Sequence, residues 1–147
     1  MKSLSGSGMW GMTTIILADD HKIVRQGIRA LLEYEPDFNI VGEASNGTEA
    51  LSLLESKIPD VLVTDLSMPG LTGMELADEI RKRKLPTKVI ILSMHGDEPY
   101  LARAIACGVS GYVLKESGVE HTVSAIREAL AGGRYVSPPL IMPLINQ

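Results

Sequence analysis

The chain has 147 residues, 45% of them hydrophobic and 22% charged, which suits one globular domain with a core of its own. A formal net charge of −4 excludes the basic footprint of a nucleic-acid-binding domain. The single cysteine, Cys107, excludes an internal disulfide and suits the cytosol, and no apolar run is long enough to span a bilayer.

Residues 1–8 are small, polar and flexible, without the apolar core of a signal peptide, and residues 1–11 read as an added expression leader with Met9 or Met12 as the native start. The Gly-x-Gly-x-x-Gly spacing from Gly6 to Gly11 precedes the first strand, whereas a dinucleotide fingerprint follows one, so it carries no weight. The β-branched run from Thr13 to Ala18 predicts a buried strand ending at Asp19-Asp20. Val24, Ile28, Leu31 and Leu32 then recur at helical spacing, with Pro36 just beyond. The less hydrophobic stretch from Phe38 to Ala44 predicts an edge strand. Asn46 and Glu49 cap a short helix running to about Glu55, which makes Asn46-Gly-Thr48 a turn and cap rather than a glycosylation site.

Val61-Leu-Val-Thr-Asp65 is an apolar run ending in one acid, and Pro69-Gly70 turns the chain after it. It predicts a central strand with Asp65 at its carboxyl end. Thr72 and Glu75 form a capping box before a helix with Leu76, Ala77 and Ile80 inward. The basic run at 81–84 reads as a solvated last turn that complements the helix dipole, in preference to a nucleic-acid patch. Lys88 to Met94 predicts the next buried strand. Asp97 and Pro99 open a helix closed by Gly108, with Cys107 as inert packing. Gly111 to Leu114 predicts a short strand ending at Lys115. Ser117 and Glu120 cap a last helix carrying Val123, Ile126 and Leu130, ended by Gly132-Gly133, and residues 138–147 are a proline-containing linker. Five strand–helix repeats imply an α/β domain over 12–137: a single doubly wound, five-stranded parallel sheet with helices on both faces.

In such a sheet the carboxyl ends of the strands meet on one edge, where ligands of open α/β sheets bind. Asp19, Asp20, Asp65, Ser93 and Lys115 all fall there. Taken singly, Asp19 and Asp20 equally fit helix caps, and Lys115 fits an ordinary surface lysine. Three carboxylates together repel unless a cation sits among them, and oxygen ligands favour a hard ion, Mg²⁺. An acid with Mg²⁺, a lysine and a hydroxyl around it is suited to accept a phosphoryl group.

The segments Ile16-Leu-Ala-Asp-Asp-His21, Asp65-Leu-Ser-Met-Pro-Gly70, Leu92-Ser93 and Gly111-Tyr-Val-Leu-Lys115 resemble the receiver domain of bacterial two-component response regulators, over about residues 13–137. His21-Lys-Ile-Val-Arg-Gln-Gly27, Val41-Gly-Glu-Ala44 and Gly132-Gly-Arg-Tyr-Val-Ser-Pro138 resemble the subfamily (NarL/FixJ type) whose members carry a LuxR-type helix-turn-helix domain. The resemblance implies the flavodoxin-like (βα)5 fold with strand order 2-1-3-4-5. It implies Asp65 as phosphoacceptor, and Mg²⁺ held by Asp20, Asp65 and the Ser67 backbone carbonyl, with Asp19 acting through water. Lys115 would pair with the phosphoryl group; Ser93 would swing toward it and Tyr112 would turn inward in the active state, the two forming the switch. Ser67, Met94 and His95 would tune the lifetime of the acyl phosphate.

The implied donor is a phosphohistidine on a sensor histidine kinase. The implied partners are a second copy of the chain on phosphorylation, and DNA only through an output domain absent from these residues. The resemblance also implies a cytoplasmic signalling phosphoacceptor, not a turnover enzyme. Where many receivers have a cis proline after the lysine, this chain has Glu116, which implies a trans peptide. A stand-alone phosphorelay receiver without DNA-binding output is the nearest alternative. An aspartyl-phosphate hydrolase of the haloacid dehalogenase type would want a second acid where Ser67 stands. A flavin-binding relative would want a phosphate-cradling loop where Asp19-Asp20 would repel phosphate.

Overall fold

The computed structural model describes residues 12–94, 98–115 and 119–137. The strands are β1 (Thr13–Ala18), β2 (Phe38–Ala44), β3 (Val61–Asp65), β4 (Lys88–Ser93), β5 (Gly111–Leu114) and β6 (Tyr135–Val136). The helices are α1 (Lys22–Glu33), α2 (Gly47–Lys57), α3 (Gly73–Lys82), α4 (Glu98–Ala106) and α5 (Thr122–Leu130). A 3-10 turn, Val119–His121, leads into α5. The leader, the linker, His95, Asp97, Glu116 with its peptide bond, and Ser117 lie outside the described residues.

All strand pairings are parallel, in the order β2-β1-β3-β4-β5-β6. The expected five-stranded order is present, and a sixth strand is added to it. β6 has only two residues and no periodicity of its own, and it exists through its pairing with β5. Tyr135 N–H donates to Ser110 O at 2.9 Å and Ser137 N–H to Tyr112 O at 3.0 Å.

β1 and β3 are buried at every position, as the uninterrupted apolar runs require of strands covered on both faces. Successive side chains enter opposite cores. Ile16, Leu62, Ile91 and Tyr112 pack with Leu54 of α2, Leu76 and Ile80 of α3, and Leu101 of α4. Ile15, Leu17, Val63 and Leu92 pack with Ile28 and Leu32 of α1 and with Ala125 and Ile126 of α5. Each such aliphatic side chain contributes about 1.5–3 kcal/mol by leaving water. β2 is an edge strand with partly exposed residues, as its mixed composition predicts.

The caps carry the same agreement into detail. Glu75 N–H donates to Thr72 Oγ1 at 3.1 Å and Thr72 N–H to Glu75 Oε1 at 2.9 Å, closing the capping box of α3. Asn46 Oδ1 accepts from Glu49 N–H at 2.8 Å, but the Glu49 carboxylate reaches one residue further than a reciprocal pair, to Ser45 N–H and Oγ at 2.9 Å. α2 then runs to Lys57, past the predicted end at about Glu55. The basic run past α3 is engaged locally: Arg81 pairs with Asp78 and donates to Ala106 O, and Arg83 pairs with Glu79 and Glu55. Cys107 is half-buried and burial pushes its thiol pKa up, in keeping with packing rather than reactivity. No helix among the described residues is long and apolar enough to cross a membrane.

Candidate phosphoacceptor site

The register of the sheet fixes which carboxyl ends are neighbours. Ala18 lies beside Thr64, Asp65 beside Leu92, and Ser93 beside Leu114. One further residue along β1 and β5 brings Asp19 and Lys115 to the end of β3. The Lys115 ammonium lies 2.9 Å from Asp19 Oδ2 and 3.1 Å from Asp65 Oδ2. The Asp19 side chain is fully buried, and those of Asp65 and Lys115 are nearly so. Asp20 is the exposed member of the acidic set.

The backbone holds these groups closely. Asp19 N–H donates to Ala44 O at 3.0 Å, its Oδ1 accepts from His21 N–H at 2.8 Å, and its carbonyl accepts from the Arg25 guanidinium. Behind Asp65, α3 begins at a glycine because nothing larger fits. A Cβ at Gly73 would lie 2.6 Å from Asp65 O and 2.9 Å from Ile91 Cδ1. Gly73 N–H closes the loop by donating to Leu66 O at 2.9 Å.

The charges in this pocket do not balance. Three carboxylates face one ammonium. Burial is the main influence on Asp65 and holds its pKa above the ordinary carboxylate value; Lys115 opposes the shift and Asp19 adds to it. Burial works against the Lys115 charge, but the hydrogen bond to Asp19 and the charge of Asp65 outweigh it, and its pKa lies above the usual lysine value. Asp19 Oδ2 relies on Lys115 alone, and Asp65 Oδ2 draws on the same ammonium. A buried, under-neutralised carboxylate beside two more acids fits a bound cation. One oxygen each from Asp19, Asp20 and Asp65, with a nitrogen of His21, lie within 4.8 Å of one another.

Of the remaining predicted residues, Ser93 is fully buried and accepts a hydrogen bond from Tyr112 OH at 3.1 Å. The Tyr112 ring already lies inward, in the core under α4. Ser67 N–H lies 3.5 Å from Asp65 Oδ1, and Ser67 and the exposed Met94 line a cleft of about 90 Å³ with His21, Asp65 and Lys115. Sequence reasoning missed two residues here. His21 and Arg25 enter the sequence reading only as members of quoted motifs, yet His21 reaches the acidic side chains and Arg25 the Asp19 carbonyl. Their spacing from Asp19, two and six residues, was the available signal.

The residue-level geometry is matched by likeness to known proteins. The family model for the response regulator receiver domain matches residues 15–127. The chain is 35% identical over 133 residues to the transcriptional regulatory protein DegU of Brevibacillus brevis, covering 90% of this chain and 56% of that protein. It is 38% identical over 127 residues to the nitrate/nitrite response regulator protein NarL of Escherichia coli, covering 86% of this chain and 59% of that protein. Among solved structures, a LuxR-family two-component response regulator from Aurantimonas superposes with a TM-score of 0.84 at 38% identity, covering 89% of this chain and 94% of that one. The chain thus spans less than two thirds of the length of these two curated relatives.

Proposed function

The chain belongs to the response regulator receiver domain family, and from that premise we propose that it accepts a phosphoryl group on Asp65 from a phosphohistidine of a sensor kinase. The observation that carries this reading is the buried Asp65 carboxylate, 3.1 Å from Lys115 and facing a cleft beside two further acids. Mg²⁺, held by Asp20, Asp65 and the Ser67 carbonyl with Asp19 acting through water, would supply the positive charge that the three carboxylates and the incoming phosphoryl oxygens call for.

A carboxylate oxygen of Asp65 attacks phosphorus in line. The phosphorus–nitrogen bond of the donor breaks, and its imidazole leaves with the electron pair. Lys115 already sits on Asp65 Oδ2, so it takes up charge on the phosphoryl oxygens without first being desolvated. The product places roughly −1.5 to −2 of new charge at the end of β3. Ser93 then donates its hydroxyl proton to a phosphoryl oxygen, and Tyr112 stays packed behind it. A change from mostly off to mostly on requires about 5.5 kcal/mol of differential interaction. Two or three charge-assisted hydrogen bonds of ~1.5–3 kcal/mol each supply it. Ser67, Met94 and His95 set how readily water reaches the acyl phosphate.

In the full-length protein the proposed output is DNA binding through a separate domain, gated by pairing of two receivers, in the cytoplasm. The names of the relatives, a transcriptional regulatory protein and response regulators, support this part of the reading.

Intact-mass spectrometry after incubation with a small phosphodonor and Mg²⁺ tests the central step. One added phosphoryl group, absent with Asp65→Asn and with chelator, is the expected result. No addition to a folded protein by either the small donor or a panel of sensor kinases overturns it.

A further inference from the structure

Helix α1 carries an apolar stripe on the face it turns away from the sheet. Ile23 is 83% and Tyr34 87% exposed, at opposite ends of that face. Gly27 and Ala30, both exposed, lie between them. At 3.6 residues per turn the four side-chain positions fall on a stripe roughly 60° wide and about 16 Å long. Glycine inside a helix is destabilising relative to alanine. Nothing within the described chain calls for it at Gly27, where the backbone is ordinary helix and an added Cβ would meet nothing within 4 Å. A side chain omitted over open space lets a second backbone come close from outside. The two large exposed side chains on either side of the gap are the anchors that such a contact would bury.

The stripe reads large, small, small, large, and it is symmetric about the midpoint between Gly27 and Ala30. An antiparallel copy centred there sets Ile23 against Tyr34 of the second copy, and Gly27 against Ala30. In a twofold pair of antiparallel helices the same flank of each meets the other. One flank of α1 carries the exposed Lys22 at its start and the exposed Glu33 at its end. Antiparallel pairing therefore brings each lysine beside the other copy's glutamate, twice per pair, whereas parallel pairing would set like charges together. Glu33 already accepts from Arg29 Nε through Oε2, and a carboxylate has capacity for both partners. We propose that α1 is the face on which two copies of this chain pair, antiparallel about a twofold axis between Gly27 and Ala30. The proposal deepens the pairing of two receivers set out above and rests on that reading, not on the phosphoryl transfer. One helix pair buries less than the roughly 800 Å² per partner of a standard interface, so the isolated chain forms a weak dimer that tethered output domains would reinforce.

The test is sedimentation velocity of this chain at low salt over a concentration series reaching about 1 mM, where a Kd on the order of 100 μM is expected. Lys22→Glu and Glu33→Lys each place like charges together at both ends of the pair, and each is expected to weaken association by about fivefold or more. The double reversal, Lys22→Glu with Glu33→Lys, should restore it to within about twofold of wild type, because the complementary pairs return with their signs exchanged. Gly27→Leu should abolish association while the melting temperature stays level or rises, since leucine favours the helix and has open space to occupy. A monomer at every concentration overturns the proposal. So does a double reversal no better than the single ones, or a Gly27→Leu protein that pairs as tightly as wild type. A monomer whose α1 variants accept phosphoryl groups more slowly from a sensor kinase would assign the face to the kinase, and overturns it too. Intact-mass phosphorylation of the same samples reads the Asp65 chemistry separately, so failure of the pairing and failure of the phosphoacceptor reading remain distinguishable.

Discussion

β3 carries an acid at each end, and the two are treated in opposite ways. Asp60, just before the strand, is half-buried and satisfied by neutral donors. Its Oδ2 accepts from Thr14 N–H at 2.8 Å and from Thr14 Oγ1 at 3.0 Å, and its own N–H donates back to Thr14. Asp65, at the other end, is more deeply buried, shares its lysine with a second acid and receives one long backbone contact at 3.5 Å. The first arrangement closes a structure. The second leaves charge and hydrogen-bonding capacity unused, which is what a group that must accept a ligand requires.

Substitutions at the two ends sharpen the contrast. Lys115→Met should have the largest effect, because it leaves two buried carboxylates facing one another. It is expected to cost about 3 kcal/mol in denaturant unfolding without added metal. It should also slow phosphorylation at least about a hundredfold in a mass-spectrometric time course. Asp60→Ala is expected to cost ~1–2 kcal/mol by stranding the Thr14 donors. Phosphorylation should proceed at the wild-type rate, since the change lies at the far end of the strand. A phosphorylation defect in Asp60→Ala would erase the distinction between the two ends.

The smallest effect has the opposite sign. Asp65→Asn should stabilise the metal-free protein at neutral pH by ~1 kcal/mol, or about 4 °C in melting temperature. The sign follows from the raised pKa of Asp65. A carboxyl whose folded pKa exceeds its unfolded value favours folding below the unfolded value, and that contribution is lost as pH rises through the folded value. The gain from Asn is therefore present at pH 7 and disappears as pH falls below about 4. Melting curves across that range check it, and a gain that persists in acid would mean that the charge on Asp65 is not its cause.

Most of this contrast was legible in the residues. Val61 to Asp65 announces a central strand through its apolar run, and the pairing of strand ends then places Asp19, Asp65 and Lys115 together without further information. Ser93 and the Thr72–Glu75 cap followed from position in the same way, whereas Tyr112 came only from the family resemblance. The features that escaped depend on geometry that spacing does not encode. β6 is too short to show alternation and forms only because β5 offers an open edge. The approach of His21 to all three acids depends on a side-chain rotamer at the first turn of α1. The Glu49 carboxylate chose Ser45 over Asn46 by a local competition between two nearby N–H groups.

The short strand β6 has a mechanical consequence. Ser137 is buried, its Oγ accepts from Leu114 N–H at 3.0 Å, and its own N–H is bonded to Tyr112 O. The chain therefore leaves the sheet riveted to the two residues that flank Val113, one of them Tyr112, whose hydroxyl is bonded to Ser93, and the other the neighbour of Lys115. Two backbone-anchored hydrogen bonds thus tie residue 137 to β5, so that sliding or tilting of β5 would pull on whatever polypeptide follows it.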